Sequence, residues 1–154
     1  MLPSTIAATD YHTGGEPFRI VADPPVPIPG RTVAERRARA IEDPAVQGLR
    51  AVLCSEPRGH ADMYGGFVVP PDDGGADLGV LFGTRTVSRP PAGTAPSRSG
   101  PDTGRVAAPD TGSVNVVIDV PSGRVTARVH RQDARVIAVD FVNVPAGWSP
   151  TACR

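Results

Sequence analysis

Short apolar runs separated by polar turns, not long amphipathic stretches, dominate the chain. Thr5-Ile6-Ala7-Ala8 and Phe18-Arg19-Ile20-Val21 flank the polar segment Asp10-Tyr11-His12-Thr13-Gly14-Gly15-Glu16-Pro17. That order predicts a strand, a glycine turn and a second strand. Pro24 to Pro29 reads as an extended connector. Thr32 followed by Glu35 forms a capping-box pattern that starts a short helix through Glu42, and Asp43-Pro44 ends or interrupts it. Leu49 to Cys54 predicts a buried strand and Gly66-Phe67-Val68-Val69-Pro70 another. Asp77 to Phe82 predicts a third, after the turn Asp72-Asp73-Gly74-Gly75.

From Gly83 to Pro101 the pattern collapses, with Val87 the one sizeable apolar side chain in a run of Pro, Gly, Ser, Thr and Arg. It returns in Ser113 to Val120, a Pro121-Ser122-Gly123 turn and Arg124 to Val129, which together predict a hairpin. Arg135 to Val144 supplies a further strand, and the pattern is lost again from Pro145 to Arg154.

Composition narrows the class. The 154 residues suit one domain, and 17 Gly and 18 Pro against one Trp, two Tyr and four Phe favour turns and short strands over long helices. The 16 basic residues are all Arg and balance 16 acidic ones, so zero net charge argues against a general nucleic-acid or anionic-membrane binder. The absence of Lys also fits a GC-rich coding sequence. Cys54 and Cys153 are too few for a disulfide framework or, with three scattered His, for a metal constellation. With no apolar stretch near membrane-spanning length and no signal-peptide pattern at the N-terminus, a cytoplasmic location is expected.

Two clusters carry chemistry. One is Asp10 to Pro17; the other is Ser55-Glu56-Pro57-Arg58-Gly59-His60-Ala61-Asp62-Met63-Tyr64-Gly65-Gly66. Both resemble the proline racemase family, which includes trans-3-hydroxyproline dehydratases and 4-hydroxyproline epimerases. The similarity runs from about Thr9 to Phe82 and resumes from about Thr103 to Pro145. The resemblance implies an α+β fold, the first lobe of a two-lobe diaminopimelate-epimerase-like architecture, mostly antiparallel β with few helices. It also implies a cofactor-free isomerase or lyase whose ligand is a small imino acid, proline or hydroxyproline. Thiols on opposite sides of the substrate exchange the weakly acidic alpha proton, aided by desolvation and positioned donors. In the family a Met-Cys-Gly-His motif opens the central helix; its Cys is one acid/base, and its amides hold the substrate carboxylate. The Arg-Gly-His-x-Asp-Met-Tyr form here looks more like the racemases and dehydratases than the epimerases.

No Cys-Gly-His occurs in this chain. The resemblance puts the missing Cys near Pro91-Ala92, inside the irregular segment, so the central helix is expected to be lost. With GC-leaning codons assumed for Gly83 to Gly100, reading from the third base gives HADGFSTTCGHGTIAVG, a likeness of the missing motif. A displaced reading frame and an ordinary disordered insertion are thus the two readings of residues 83–101. The expected organisation is residues 5–82 as the first part of the N-terminal lobe, the irregular 83–101, residues 102–145 as its remainder and 146–154 as an aberrant tail. The C-terminal lobe, which would carry the Cys or Thr that separates racemase from dehydratase, is expected to be absent.

The resemblance marks Tyr64, His60 and Asp62 as substrate-pocket residues and His12, Thr13, Gly14 and Gly15 as a pocket-shaping loop. For His60 a backbone hydrogen-bonding role competes with orienting a substrate-side loop. Cys54 reads as a buried small hydrophobe, Glu56 and Arg58 as either an internal ion pair or ligand contacts, and His130 as solvated surface. The expected outcome is an inactive, truncated lobe, with a homodimer possible. The alternative is a non-catalytic interaction half-domain that pairs with another chain through apolar surface.

Overall fold

A computed structural model describes residues 5–13, 16–60, 63–84 and 109–142. Seven strands form one sheet: β1 (Thr9–Thr13), β2 (Glu16–Val21), β3 (Tyr64–Val69), β4 (Leu78–Thr84), β5 (Gly112–Val120), β6 (Gly123–Gln132) and β7 (Arg135–Val142). Their spatial order follows their chain order. β2–β3 and β4–β5 are parallel and the other four pairings antiparallel. Helices α1 (Val33–Glu42) and α2 (Pro44–Cys54) make the β2–β3 crossover, as a parallel connection demands.

Both ends of α1 follow from local chemistry. Thr32 is the N-cap, its hydroxyl accepting from Glu35 N at 3.1 Å, and Glu35 reaches back to accept from Arg31 N. Asp43 closes α1 and opens α2, accepting from Ala45 N at 2.7 Å and Val46 N at 3.3 Å, with Pro44 in the first helical turn. The strand expected at Leu49 to Cys54 is therefore the second half of a helix. Val46, Leu49 and Leu53 are buried while Val52 is 45% exposed, a spacing of one helical face and not of alternate strand positions. Asp-Pro serves here as a helix start as well as a stop. The strand expected at Thr5 to Ala8 begins only at Thr9 and runs into the polar motif.

The sheet is apolar on both faces. Against the helices lie Val21, Phe67, Val69 and Leu81, packed with Val33, Val46, Leu49, Leu53 and Cys54. The opposite face gathers Ile20, Val68, Leu78 and Val80, with half-buried Tyr11, Phe18, Phe82, Val116 and Ile118 against them. β3 is consequently buried at every position after Tyr64, the signature of a strand covered on both sides. In β6, buried Val125 and Ala127 alternate with exposed Arg124, Thr126 and Arg128.

The joint between β4 and β5 is short, with the register pairs Leu78–Ile118 and Gly79–Asp119. Asp77 extends it, donating from N to Val117 O at 2.8 Å and accepting Val117 N on its carboxylate at 2.7 Å. Asp119, 4% exposed, accepts from Arg124 Nε at 2.7 Å and from Asp72 N at 2.9 Å. Arg124 also donates to Asp73 at 2.7 Å, and Asp72 accepts Val33 N at the start of α1. The Arg124 hydrogen bond is the main reason the Asp119 carboxyl titrates below its ordinary range.

Leu49 is fully buried, so Leu49→Ala should cost about 2–5 kcal/mol in urea unfolding. The Asp119 contribution is present above the unfolded carboxyl value and is lost as pH falls through the lower folded value. Thermal unfolding midpoints should therefore drop below about pH 4. Asp119→Asn should lower the neutral midpoint and flatten that acid limb; an unchanged acid limb would contradict this assignment.

Candidate active-site wall

Strand pairing sorts the motif residues by face. Tyr11 pairs with Phe18, Phe18 with Tyr64 and Tyr64 with Thr84, so one row crosses β1 to β4. Paired residues share a face, which places half-buried Tyr64 beside Tyr11 and Phe18 on the side away from the helices. Phe82 joins them, edge-on to Phe18 with ring centroids 5.9 Å apart. Tyr11, Phe18 and Phe82 were not among the sequence candidates. The signal was present, since the alternation of Asp10–Thr13 and Glu16–Val21 across a tight hairpin brings Tyr11 and Phe18 together.

His12 follows Tyr11 and so points to the other face, opposite Pro17. It is exposed, as is His60 in the turn after α2. The His60 carbonyl accepts from Met63 N at 3.1 Å. The structure does not bring His12 and Tyr64 together. Thr13 ends β1; Gly14, Gly15, Asp62, Pro91, Ala92 and Cys153 lie outside the described residues, as does the segment where the central helix was expected.

The two motifs are tied by Arg19. Its guanidinium grips Asp10 with two bonds of 2.6 and 2.7 Å and donates to the carbonyls of Leu53 at 2.8 Å and Arg58 at 2.7 Å. It thus joins β1, the last turn of α2 and the Pro57–Gly59 turn. The Arg19 bond holds the Asp10 carboxyl below its ordinary value. Gly59 is required where it is: its N donates to Ser55 O at 2.8 Å, and a Cβ there would strike the Cys54 carbonyl. Among the described residues no ion pair joins Glu56 to Arg58, and it is the Arg58 carbonyl that Arg19 holds. His130 is also not simple solvated surface, because it is half-buried between Ser113 and Asp140.

Cys54 is buried at the end of α2, and burial pushes its thiol upward, Arg50 and Arg19 opposing more weakly. A raised thiol is a poor source of thiolate. The recess that it lines with Arg19, Val21, Arg50, Leu53 and Phe67 has a volume of about 10 Å³, room for one water and not for an imino acid. Among the described residues no cluster of three or more His, Cys, Asp or Glu is placed to hold a metal, and no helix is long and apolar enough to cross a membrane.

The proline racemase family model matches residues 8–150. A Xenopus tropicalis trans-L-3-hydroxyproline dehydratase is 40% identical over 145 residues, 92% of this chain and 41% of its own length. A Trypanosoma cruzi proline racemase A is 36% identical over 151 residues, 89% of this chain and 34% of its own. The crystal structure of a hydroxyproline epimerase from Agrobacterium vitis, with trans-4-hydroxy-L-proline bound, superposes with a TM-score of 0.69 at 23% identity. That superposition covers 87% of this chain and 40% of the epimerase, as expected for one lobe of a two-lobe fold. A match to almost the whole chain, carried by relatives of which it spans about two fifths, makes this chain a member of the proline racemase family.

Proposed function

We propose that the chain forms one wall of a proline or hydroxyproline pocket in a cytoplasmic, cofactor-independent proline racemase-like enzyme and that, alone, it transfers no alpha proton. The observation that carries this reading is the missing nucleophile: no Cys-Gly-His occurs in the sequence, and Cys54 is buried with its thiol pushed upward. Relatives named as dehydratases, epimerases and racemases support the substrate class. In the intact reaction, racemisation and dehydration share the same first step, loss of the alpha proton to a base in a desolvated site. The two diverge once that proton has left: reprotonation from the opposite side gives the enantiomer, and departure of the 3-hydroxyl gives the dehydrated product.

On this reading Tyr64, with Tyr11 and Phe18, lines the apolar side of the pocket. His60, Asp62 and the His12–Gly15 loop shape its rim. Residues 83–101 are read as the family's central-helix segment in a displaced frame, and the DNA sequence from Phe82 to Gly104 decides this against an ordinary insertion. A second reading, a non-catalytic half-domain that pairs with another chain or with itself as a homodimer, draws on the edge strand β7. There Val136 and Ile137 are 37% and 50% exposed, an apolar edge of the kind proteins normally cover.

Incubation with L-proline or trans-3-hydroxy-L-proline in heavy water should give no Cα deuteration above the buffer rate by NMR; enzyme-dependent deuteration would overturn the inactive reading. Sedimentation of the same sample separates the alternatives, a stable dimer without exchange favouring the interaction half-domain. Arg19→Met should cost roughly 2 kcal/mol and speed amide exchange at Arg58 and Gly59, because the guanidinium holds that turn against β1.

A further inference from the structure

β5, β6 and β7 carry a second polar cluster on the sheet face opposite the aromatic row. Ser113 pairs directly with His130, and its Oγ lies 2.8 Å from His130 Nδ1. His130 Nε2 lies 2.7 Å from Asp140 Oδ2. The ring reaches Asp140 diagonally, because its direct neighbour on β7 is the small Ala138. The next row on the same face is Asn115, Arg128 and Asp140. Among the described residues the Asn115 and Arg128 side chains enter no hydrogen bond or ion pair. A hydroxyl, an imidazole and a carboxylate are thus linked in series beside two uncommitted donors.

A carboxylate only accepts, so Asp140 selects the tautomer with hydrogen on Nε2 and leaves the Nδ1 lone pair on the Ser113 hydroxyl. That is the linkage of nucleophile, base and orienting group used in acyl transfer, with the two ring nitrogens exchanged relative to the usual triad. His130 is held from both sides with its side chain 29% exposed, whereas Asp140 is 75% exposed; the base is fixed and the face is open to a small reactant.

We propose that Ser113, His130 and Asp140 form an acyl-accepting site on the β5–β7 face, in which His130 activates Ser113 toward small activated esters. Ser113 Oγ adds to the carbonyl carbon as its proton passes to Nδ1. The carbon–oxygen bond to the leaving group then breaks, its electron pair stays on the departing oxygen, and that oxygen receives the proton. The products are an acyl-Ser113 ester and the free alcohol. Water repeats the sequence to release the acid. Asn115 and Arg128, in the next row of the same face, are the donors that would meet the negative charge developing on the carbonyl oxygen. The chain contains no Lys, so lysine amines do not compete for the acyl group.

The test is p-nitrophenyl acetate with the full chain, reading nitrophenolate release and the acetylated peptide by mass mapping. Acetylation is expected at Ser113, abolished in Ser113→Ala and slowed roughly 100-fold in His130→Asn. Asp140→Asn, at a position 75% exposed, should slow acetylation while leaving the melting curve in place. Absence of acetyl at Ser113, or equal labelling of Ser113 in the His130 and Asp140 variants, would overturn the proposal. Neither result depends on proline exchange, so it stands or falls apart from the racemase-type reading.

Discussion

Strands β4 and β5 share the register pairs Leu78–Ile118 and Gly79–Asp119, so the union of the helix-bearing half of the sheet with the β5–β7 half rests on side chains as much as on backbone rungs. Asp119 is central. A carboxylate that is 4% exposed is tolerable only when its oxygens are filled, and here Arg124 and Asp72 N fill them. Through Asp72 the same network reaches the first turn of α1, and through Asp73 it fixes the β3–β4 turn. One buried charge therefore sets the position of a hairpin, a turn and a helix start together.

Arg19 does comparable work at the other end of the sheet. Four hydrogen bonds from one guanidinium join the hairpin motif to the turn that follows α2. The planar fork of Arg suits this, since it grips a carboxylate with two nitrogens and still has a third for carbonyls. The aromatic row on the opposite face is placed by the same strands. The aromatic row and the clamp behind it are thus two sides of β1 and β2.

Much of this was legible residue by residue. The capping box at Thr32 and Glu35, the hairpin around Pro121-Ser122-Gly123 and the strands ending near Val69 and Phe82 came from local patterns that tertiary contacts reinforce. Leu49 to Cys54 misled because six mostly apolar residues fit a buried strand as well as one side of a helix; the Asp43 cap and Pro44 decide it. The β6–β7 turn carried no glycine signal, yet Asp133 and Ala134 sit at φ 50° and 62°. Bonds from Ala134 N to Asp110 O and from Arg131 to Ala134 O support that strained pair.

The sequence by itself determined the family, the class of fold and the absence of a Cys-Gly-His nucleophile, because each is written in contiguous motifs or their omission. Tertiary structure alone decided which motif residues meet. Side chains alternate across a strand, so His12 and Tyr11, neighbours in the chain, face opposite ways, while Tyr64 joins Tyr11 and Phe18 through pairings between segments far apart in the chain. The buried Asp119 network and the Ser113–His130–Asp140 series are of the same kind. They come from strand register, a property of the sheet and of no single segment.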